Sequence, residues 1–250
     1  MGFSVPKFDL QIQEAPITNR VLLKLIEAGL DDYKRVSMRD IDYKHFGTFK
    51  LRVERVKFLR NLLRAMKTYG LLDYTWEFGS GGSTVVFGKD VEKQHVAVEH
   101  LEWVWERTAG AVCDYDVDHR VTVLHRELDD LTGMYELSAN DVPGPVNLLL
   151  IDGPPVAPVY KKRPKWERWN TLPFFFEHFA DNAMVILDSG ERPYEQEYLD
   201  YWRKRYGIGF TFPGAKDSRL KGFCVIDPFH TFNREGLISR REVRIDPRYA

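Results

Sequence analysis

Five short apolar runs recur through the middle of the chain: TWEFG at 75–79, HVAVEH at 95–100, RVTVLHR at 120–126, VNLLLIDG at 146–153 and AMVILDSG at 183–190. The stretches between them are long enough for helices, a pattern that predicts successive βα units on a buried parallel sheet. Near the end, GFTF (209–212) and KGFCVID (221–227) are separated by PGAKDSRL. That linker is rich in turn formers and too short for a helical crossover, so the pair is expected as an antiparallel hairpin at one sheet edge. The predicted fold class is α/β, a doubly wound and mostly parallel sheet with an antiparallel edge hairpin.

Upstream, TNRVLLKLIEAG predicts a helix capped by Thr18 or Asn19 and stopped by Gly29. In KLRVERVKFLRNLLRAMKTYG, Val56, Leu59, Leu63 and Met66 fall on one helical stripe, with Arg52, Arg55, Arg60, Arg64 and Lys67 mostly off it. The basic positions are expected as a solvated face, with phosphate or nucleic-acid binding the lesser reading. The chain divides into an N-terminal helical extension (1–69), an α/β domain (70–230) and an Arg-rich tail (231–250).

Composition narrows the possibilities only by exclusion. Formal charge is −1 and 44% of the 250 residues are hydrophobic, so no global field draws the chain to nucleic acid or an anionic membrane. Two cysteines without CxxC spacing, Cys113 and Cys224, suggest neither a disulfide framework nor a thiolate zinc site. The start has no signal-peptide profile and no apolar run is long enough to span a bilayer, so a cytoplasmic location is expected.

Chemistry concentrates first in TWEFGSGGSTVVFG (75–88). Glycines between a strand and a helix let backbone approach a ligand, and the helix N-terminal amides face the same space. A dinucleotide fingerprint needs glycines at 79, 81 and 84, but residue 84 is threonine; the Gly-Lys-Ser/Thr of a P-loop is absent. Glu77 precedes the turn, and Glu99 closes the next run 20 residues after Gly79, where a carboxylate can accept both hydroxyls of a ribose. An acid ahead of the glycines repels pyrophosphate and suits a ligand with an ammonium and a sulfonium, which S-adenosylmethionine has.

These residues resemble the first motif, acidic-x-Gly-x-Gly, of the class I S-adenosylmethionine-dependent methyltransferases. The resemblance is closest to a small Rossmann-like branch and runs through VAVEHLEWVW, LLLIDGPP, RWNTLP, VILDSGERPYEQEYLDYW and KGFCVID, covering most of residues 70 to 228. It implies a seven-stranded sheet with an antiparallel last strand. It implies that Glu77, Gly79, Ser80, Gly81, Gly82 and Ser83 wrap the methionine part of the cofactor and that Glu99 binds ribose, with His100 close by. Asp152 joins this cofactor set, and Arg126 or Glu127 is placed near the adenine.

Ligands of doubly wound sheets collect at the carboxyl ends of the strands, where Asp152 and Asp188 sit. With His125 they are the candidate catalytic bases for a hydroxyl acceptor. Metal-assisted relatives carry a second acid after the one at the fifth strand; here the pair is Asp188-Ser189, so a Mg²⁺ site would rest on Asp152, Asp188 and waters. The loop PPVAPVYKKRPKWERW mixes cations and aromatics, and Tyr160, Lys162, Trp166 and Arg168 from it, with Arg192 from DSGERP, are the candidate acceptor-binding residues. The other histidines show no paired spacing for zinc. The leading expectation is O-methylation of a small molecule or glycan, anionic if the loop's charge is used. The alternatives are a non-catalytic scaffold of the same fold and a dinucleotide-dependent oxidoreductase, against which Thr84 and Glu77 both count.

Overall fold

The computed structural model describes residues 17–46, 51–129, 132–154, 168–214, 217 and 219–230. Helix α1 (Arg20–Leu30) opens on Asn19, whose side chain accepts the Val21 and Leu22 amides. Gly29 does not stop it. The helix runs one residue further, and Gly29 instead lets α1 cross helix α2 (Val53–Thr68): a Cβ there would meet Phe58 at 2.8 Å. The predicted stripe of α2, Val56, Leu59, Leu63 and Met66, is wholly buried. Its basic face is not all solvated, because Arg55 and Arg60 are each 5% exposed. Arg60 reaches Asp40 and Asp90; Arg55 enters the site described below.

From residue 74 the chain alternates as expected: β1 (Tyr74–Phe78), α3 (Gly82–Asp90), β2 (Gln94–Glu99), α4 (Glu102–Asp114), β3 (Val121–His125) and β4 (Val146–Ile151). Then come α5 (Thr171–Phe175), β5 (Phe179–Leu187), α6 (Pro193–Tyr206), β6 (Gly209–Thr211) and β7 (Cys224–Asp227). The seven strands form one sheet in the order β3-β2-β1-β4-β5-β7-β6. Strands β1 to β5 are parallel, and β7 lies antiparallel between β5 and β6. The expected hairpin and sheet are therefore both present.

Alternation along the central strands builds the two layers. Leu148, Leu150, Met184 and Ile186 join α1, α2, α3 and α4 on one face. Leu149, Ile151, Val185 and Leu187 join α5 and α6, with Trp202 and Phe175, on the other. Helices α1 and α2 thus share a continuous core with the βα units. Register then sets the site: Phe78 pairs with Ile151, and Ile151 with Leu187. Gly79, Asp152 and Asp188 consequently leave the sheet level with one another, at the switch point where the order reverses between β1 and β4. Among the described residues, no helix is long and apolar enough to cross a membrane.

Candidate functional site

The ladder holds each departing loop by one more bond. Gly79 N–H reaches the Val98 carbonyl (2.9 Å), Asp152 N–H the Phe78 carbonyl (3.0 Å) and Asp188 N–H the Ile151 carbonyl (3.0 Å). Above these ends lies a cavity of about 380 Å³, at the lower end of the usual range for small-molecule sites. One wall is the glycine turn with Glu99 and Tyr135; the other is Asp152, Asp188, Arg55 and the rim arginines 52 and 192.

The turn is built from below. Glu77 is fully buried and accepts the hydroxyls of Ser83 and Thr84, the latter at 2.7 Å, while His95 Nε2 lies 3.4 Å away. Thr84 in turn accepts the Gly81 amide at 3.0 Å. The threonine in place of a third fingerprint glycine is therefore the brace that ties the start of α3 to β1. Gly79, Ser80, Gly81 and Ser83 line the cavity. Glu77 lies beneath the turn rather than in the cavity wall, and the Gly82 Cα faces Tyr43, which a Cβ would meet at 2.6 Å. Both serine hydroxyls turn away, Ser80 Oγ to Thr108 (3.2 Å) and Ser83 Oγ to Glu77, leaving backbone toward the cavity.

Glu99 is 6% exposed, and its carboxylate is fixed by backbone. Oε1 accepts the His100 and Leu101 amides (2.8 and 3.0 Å), and Oε2 accepts Ser80 N–H (3.3 Å). These bonds leave acceptor capacity on Oε2 for a ribose hydroxyl. Around it, His100 Nδ1 lies 3.0 Å from Glu99 Oε1, while two buried polar atoms, the Tyr135 hydroxyl and His100 Nε2, stand without hydrogen-bond partners among the described residues. Burial first, then the Glu99 charge, hold the Tyr135 hydroxyl pKa well above its usual value, so it is a proton donor. A buried polar atom without a partner is costly, and these two lie beside the Glu99 carboxylate. The wall thus fits an adenosine-bearing cofactor.

Asp152 is half-buried, and its carboxylate makes no hydrogen bond or ion pair with a described residue. Burial, then the charge of Asp188, push its pKa well above the carboxylate range. The loop that carries it is clamped from behind: Arg168, 2% exposed, donates from Nη2 to the Asp152 carbonyl and from Nε to the Pro154 carbonyl, both at 2.9 Å, and faces Glu195 at 3.5 Å. This corrects the acceptor role expected for Arg168. By residues 168 and 169 the chain has left the basic loop, and the neighbouring Trp169 is buried in the core. Tyr160, Lys162 and Trp166 lie outside the described residues.

Asp188 is not a free base. Its Oδ1 is ion-paired with Arg55, whose other nitrogen bonds the Lys221 carbonyl, and its Oδ2 accepts the Ser189 hydroxyl at 2.8 Å. Ser189 holds the left-handed region, with φ of 62°, a costly conformation for a non-glycine residue. A divalent ion does not fit this donor set, because a guanidinium already occupies the Asp188 carboxylate and would repel the cation. Among the described residues, the group of acids and histidine close enough to share an ion is the exposed Asp116, Asp118 and His119, just before the edge strand β3 and outside the cavity.

His125 is also removed from the base candidates: its Nε2 lies 3.1 Å from the His100 carbonyl, its ring stacks on Trp105, and it does not line the cavity. Arg126 pairs with Asp141 instead of facing the cavity. Arg192 lines the cavity, its side chain 60% exposed. Arg55, Tyr135 and Gly153 were not anticipated. Arg55 had only its place in a basic helix to mark it, its partner being 133 residues away.

No protein-family model and no curated protein sequence matches the chain. Among solved structures it is similar to a candidate O-methyltransferase from Klebsiella pneumoniae, with a TM-score of 0.51, 14% identity, and 83% of this chain and 89% of that chain covered. It is also similar to the O-methyltransferase from Bacillus cereus in complex with SAH, with a TM-score of 0.48, 13% identity and coverage of 87% and 92%. The O-methyltransferase TomG from Streptomyces achromogenes in complex with SAM aligns with a TM-score of 0.48, 14% identity and coverage of 87% and 91%. At these identities the Klebsiella pneumoniae likeness establishes the fold, that of the class I methyltransferases.

Proposed function

From the class I methyltransferase fold as premise, we propose that the chain binds S-adenosylmethionine at the ends of β1 and β2 and methylates an oxygen of a small acceptor, anionic at one end. The observation that carries this reading is the Glu99 carboxylate: it closes the strand beside the switch point, backbone amides fix its direction, and it faces the cavity among buried polar groups that lack partners. When bound, S-adenosylmethionine supplies an electrophilic methyl group on a sulfonium.

The chain's own residues would then act as follows. Glu99 accepts a ribose hydroxyl at Oε2, and the Tyr135 hydroxyl donates beside it. Gly79, Ser80 and Gly81 offer backbone to the amino-acid portion. Asp152 takes the acceptor's hydroxyl proton, and its raised pKa makes it a stronger base than an ordinary carboxylate. Asp188, neutralised by Arg55, holds the neighbouring loop in place.

Two arginines support an anionic acceptor. Arg52 and Arg192 are the N-caps of α2 and α6, with no side-chain cap bond at either, and both line the cavity. A cation at the positive end of a helix is locally unfavourable, so its occurrence at both ends facing one cavity favours a negative ligand group.

The test is transfer of a labelled methyl group from S-adenosylmethionine to a panel of hydroxylated carboxylates, phosphates and neutral glycans, each with and without a chelator. Transfer to anionic members, unaffected by chelation, is expected. S-adenosylmethionine binding with no transfer to any member would favour the scaffold reading.

A further inference from the structure

Asp152 and Asp188 end neighbouring parallel strands one step beyond the Ile151–Leu187 pair, so their backbones stand roughly one strand spacing apart, about 4.8 Å, and both side chains line the same cavity. Such a pair needs a positive partner. The structure supplies it from outside the βα units: Arg55, on the first turn of α2, inserts its guanidinium at 5% exposure, bonds Asp188 Oδ1 and the Lys221 carbonyl, and lies over the Phe223 ring at 5.9 Å. Ser189 takes the remaining Asp188 oxygen.

A planar, multi-donor cation makes these contacts simultaneously. A divalent ion in the same place could take the Lys221 carbonyl as a ligand, but not while the guanidinium holds it. It would also need Asp188 to release both the arginine and Ser189. Helix α2 is itself fixed by packing, with Val56 and Leu59 fully buried, so the guanidinium reaches Asp188 from a rigid element.

We propose that Arg55 is the resident cation of the site: it takes the position a divalent ion would need at Asp188, makes the site metal-independent, and thereby acts as a positioning residue for the Asp188 loop beside Asp152. Removing the guanidinium frees Asp188 beside Asp152 and converts the pair into a divalent-cation site. This inference concerns the same cavity as the methyl-transfer reading, but its test needs neither cofactor nor acceptor, so the two fail separately.

The experiment is Mn²⁺ titration of the full chain followed by electron paramagnetic resonance, in an Asp118→Asn background that removes the exposed Asp116, Asp118 and His119 group. Wild-type Arg55 and Arg55→Lys should show no site that depends on Asp188. Arg55→Ala should gain one site with at least tenfold higher Mn²⁺ affinity than the parent, and Arg55→Ala with Asp188→Asn should lose it. A Mn²⁺ site already present with Arg55 and abolished by Asp188→Asn would overturn the proposal, and that comparison stands even if Arg55→Ala does not fold. Folded Arg55→Ala, verified by circular dichroism, with no gained site would overturn it equally. Calorimetry with S-adenosylhomocysteine on the same proteins reports the cofactor reading independently.

Discussion

Gly79 and Gly153 meet backbone to backbone where the β1 and β4 loops leave the sheet. A Cβ on Gly153 would lie 2.8 Å from Gly79 N and 2.8 Å from the Tyr135 hydroxyl, and one on Gly79 would lie 3.1 Å from Gly153 N. Gly79 also holds a φ of +85°, which only glycine adopts without strain. The pair sets the floor of the cavity, and its neighbours are backbone and a buried ring, which cannot swing aside.

Gly153→Ala should therefore cost about 1 to 3 kcal/mol, the usual range for overpacking. For a chain of this size that lowers Tm by about 2–4 °C for each kcal/mol. Cofactor affinity should fall with it, because the same displacement moves Gly79. A thermal melt and a binding titration check both; unchanged values would mean the loops are free to separate.

Glu99→Gln keeps the shape and one carbonyl acceptor but removes the charge. If Glu99 makes a charge-assisted bond to a ribose hydroxyl, binding of S-adenosylhomocysteine should weaken by about 1.5 to 3 kcal/mol. Isothermal calorimetry measures it, and equal affinity would remove Glu99 from the site.

Asp152 carries opposite predictions for stability and activity. Because its folded pKa is raised by burial and by Asp188, the folded state holds its proton above the pH at which the unfolded chain releases it. Its contribution to stability is therefore full at low pH and is lost as pH rises through the folded value. Asp152→Asn should be more stable than the parent at neutral pH, with the two melting curves converging in acid. The same variant should lose methyl transfer by about 10²- to 10⁴-fold, the scale of one general base. In the parent, the acid limb of the rate profile should lie above the ordinary carboxylate range and should disappear with the side chain.

Arg192 is mostly solvent-exposed and has Glu195 at 4.0 Å as a weak ion partner. Arg192→Ala should leave Tm within the roughly 0.5 kcal/mol typical of surface changes. For an anionic acceptor it should raise KM about tenfold while leaving kcat nearly intact, since uniform binding is what it supplies. A fall in kcat at constant KM would instead place Arg192 nearer the reacting atoms.

What was legible in the sequence follows local rules. The βα alternation, the edge hairpin and the buried stripe of α2 depend on period and linker length, and all three are present. The glycine turn between β1 and α3 was legible, but the work of its acid was not. Glu77 braces the start of α3 through Ser83 and Thr84, hydroxyls six and seven residues away that the sequence could name but not orient. Misreadings cluster where a long side chain crosses the fold. Arg55, in a basic helix face, pairs with Asp188; Arg168, assigned to an exposed loop, grips the backbone under Asp152; His125, at a strand end, turns to the His100 carbonyl. In each case the partner is remote in sequence, so neither spacing nor residue type specifies the bond.

The central claim is that this cavity is an S-adenosylmethionine site, and its most direct measurement is calorimetric titration of the purified chain with S-adenosylmethionine, S-adenosylhomocysteine and NAD. Saturable 1:1 binding of both adenosyl-sulfur ligands, weakened by Glu99→Gln, with no binding of NAD, is the predicted result. Binding of NAD alone, or no binding of either adenosyl-sulfur ligand by the folded chain, would contradict it.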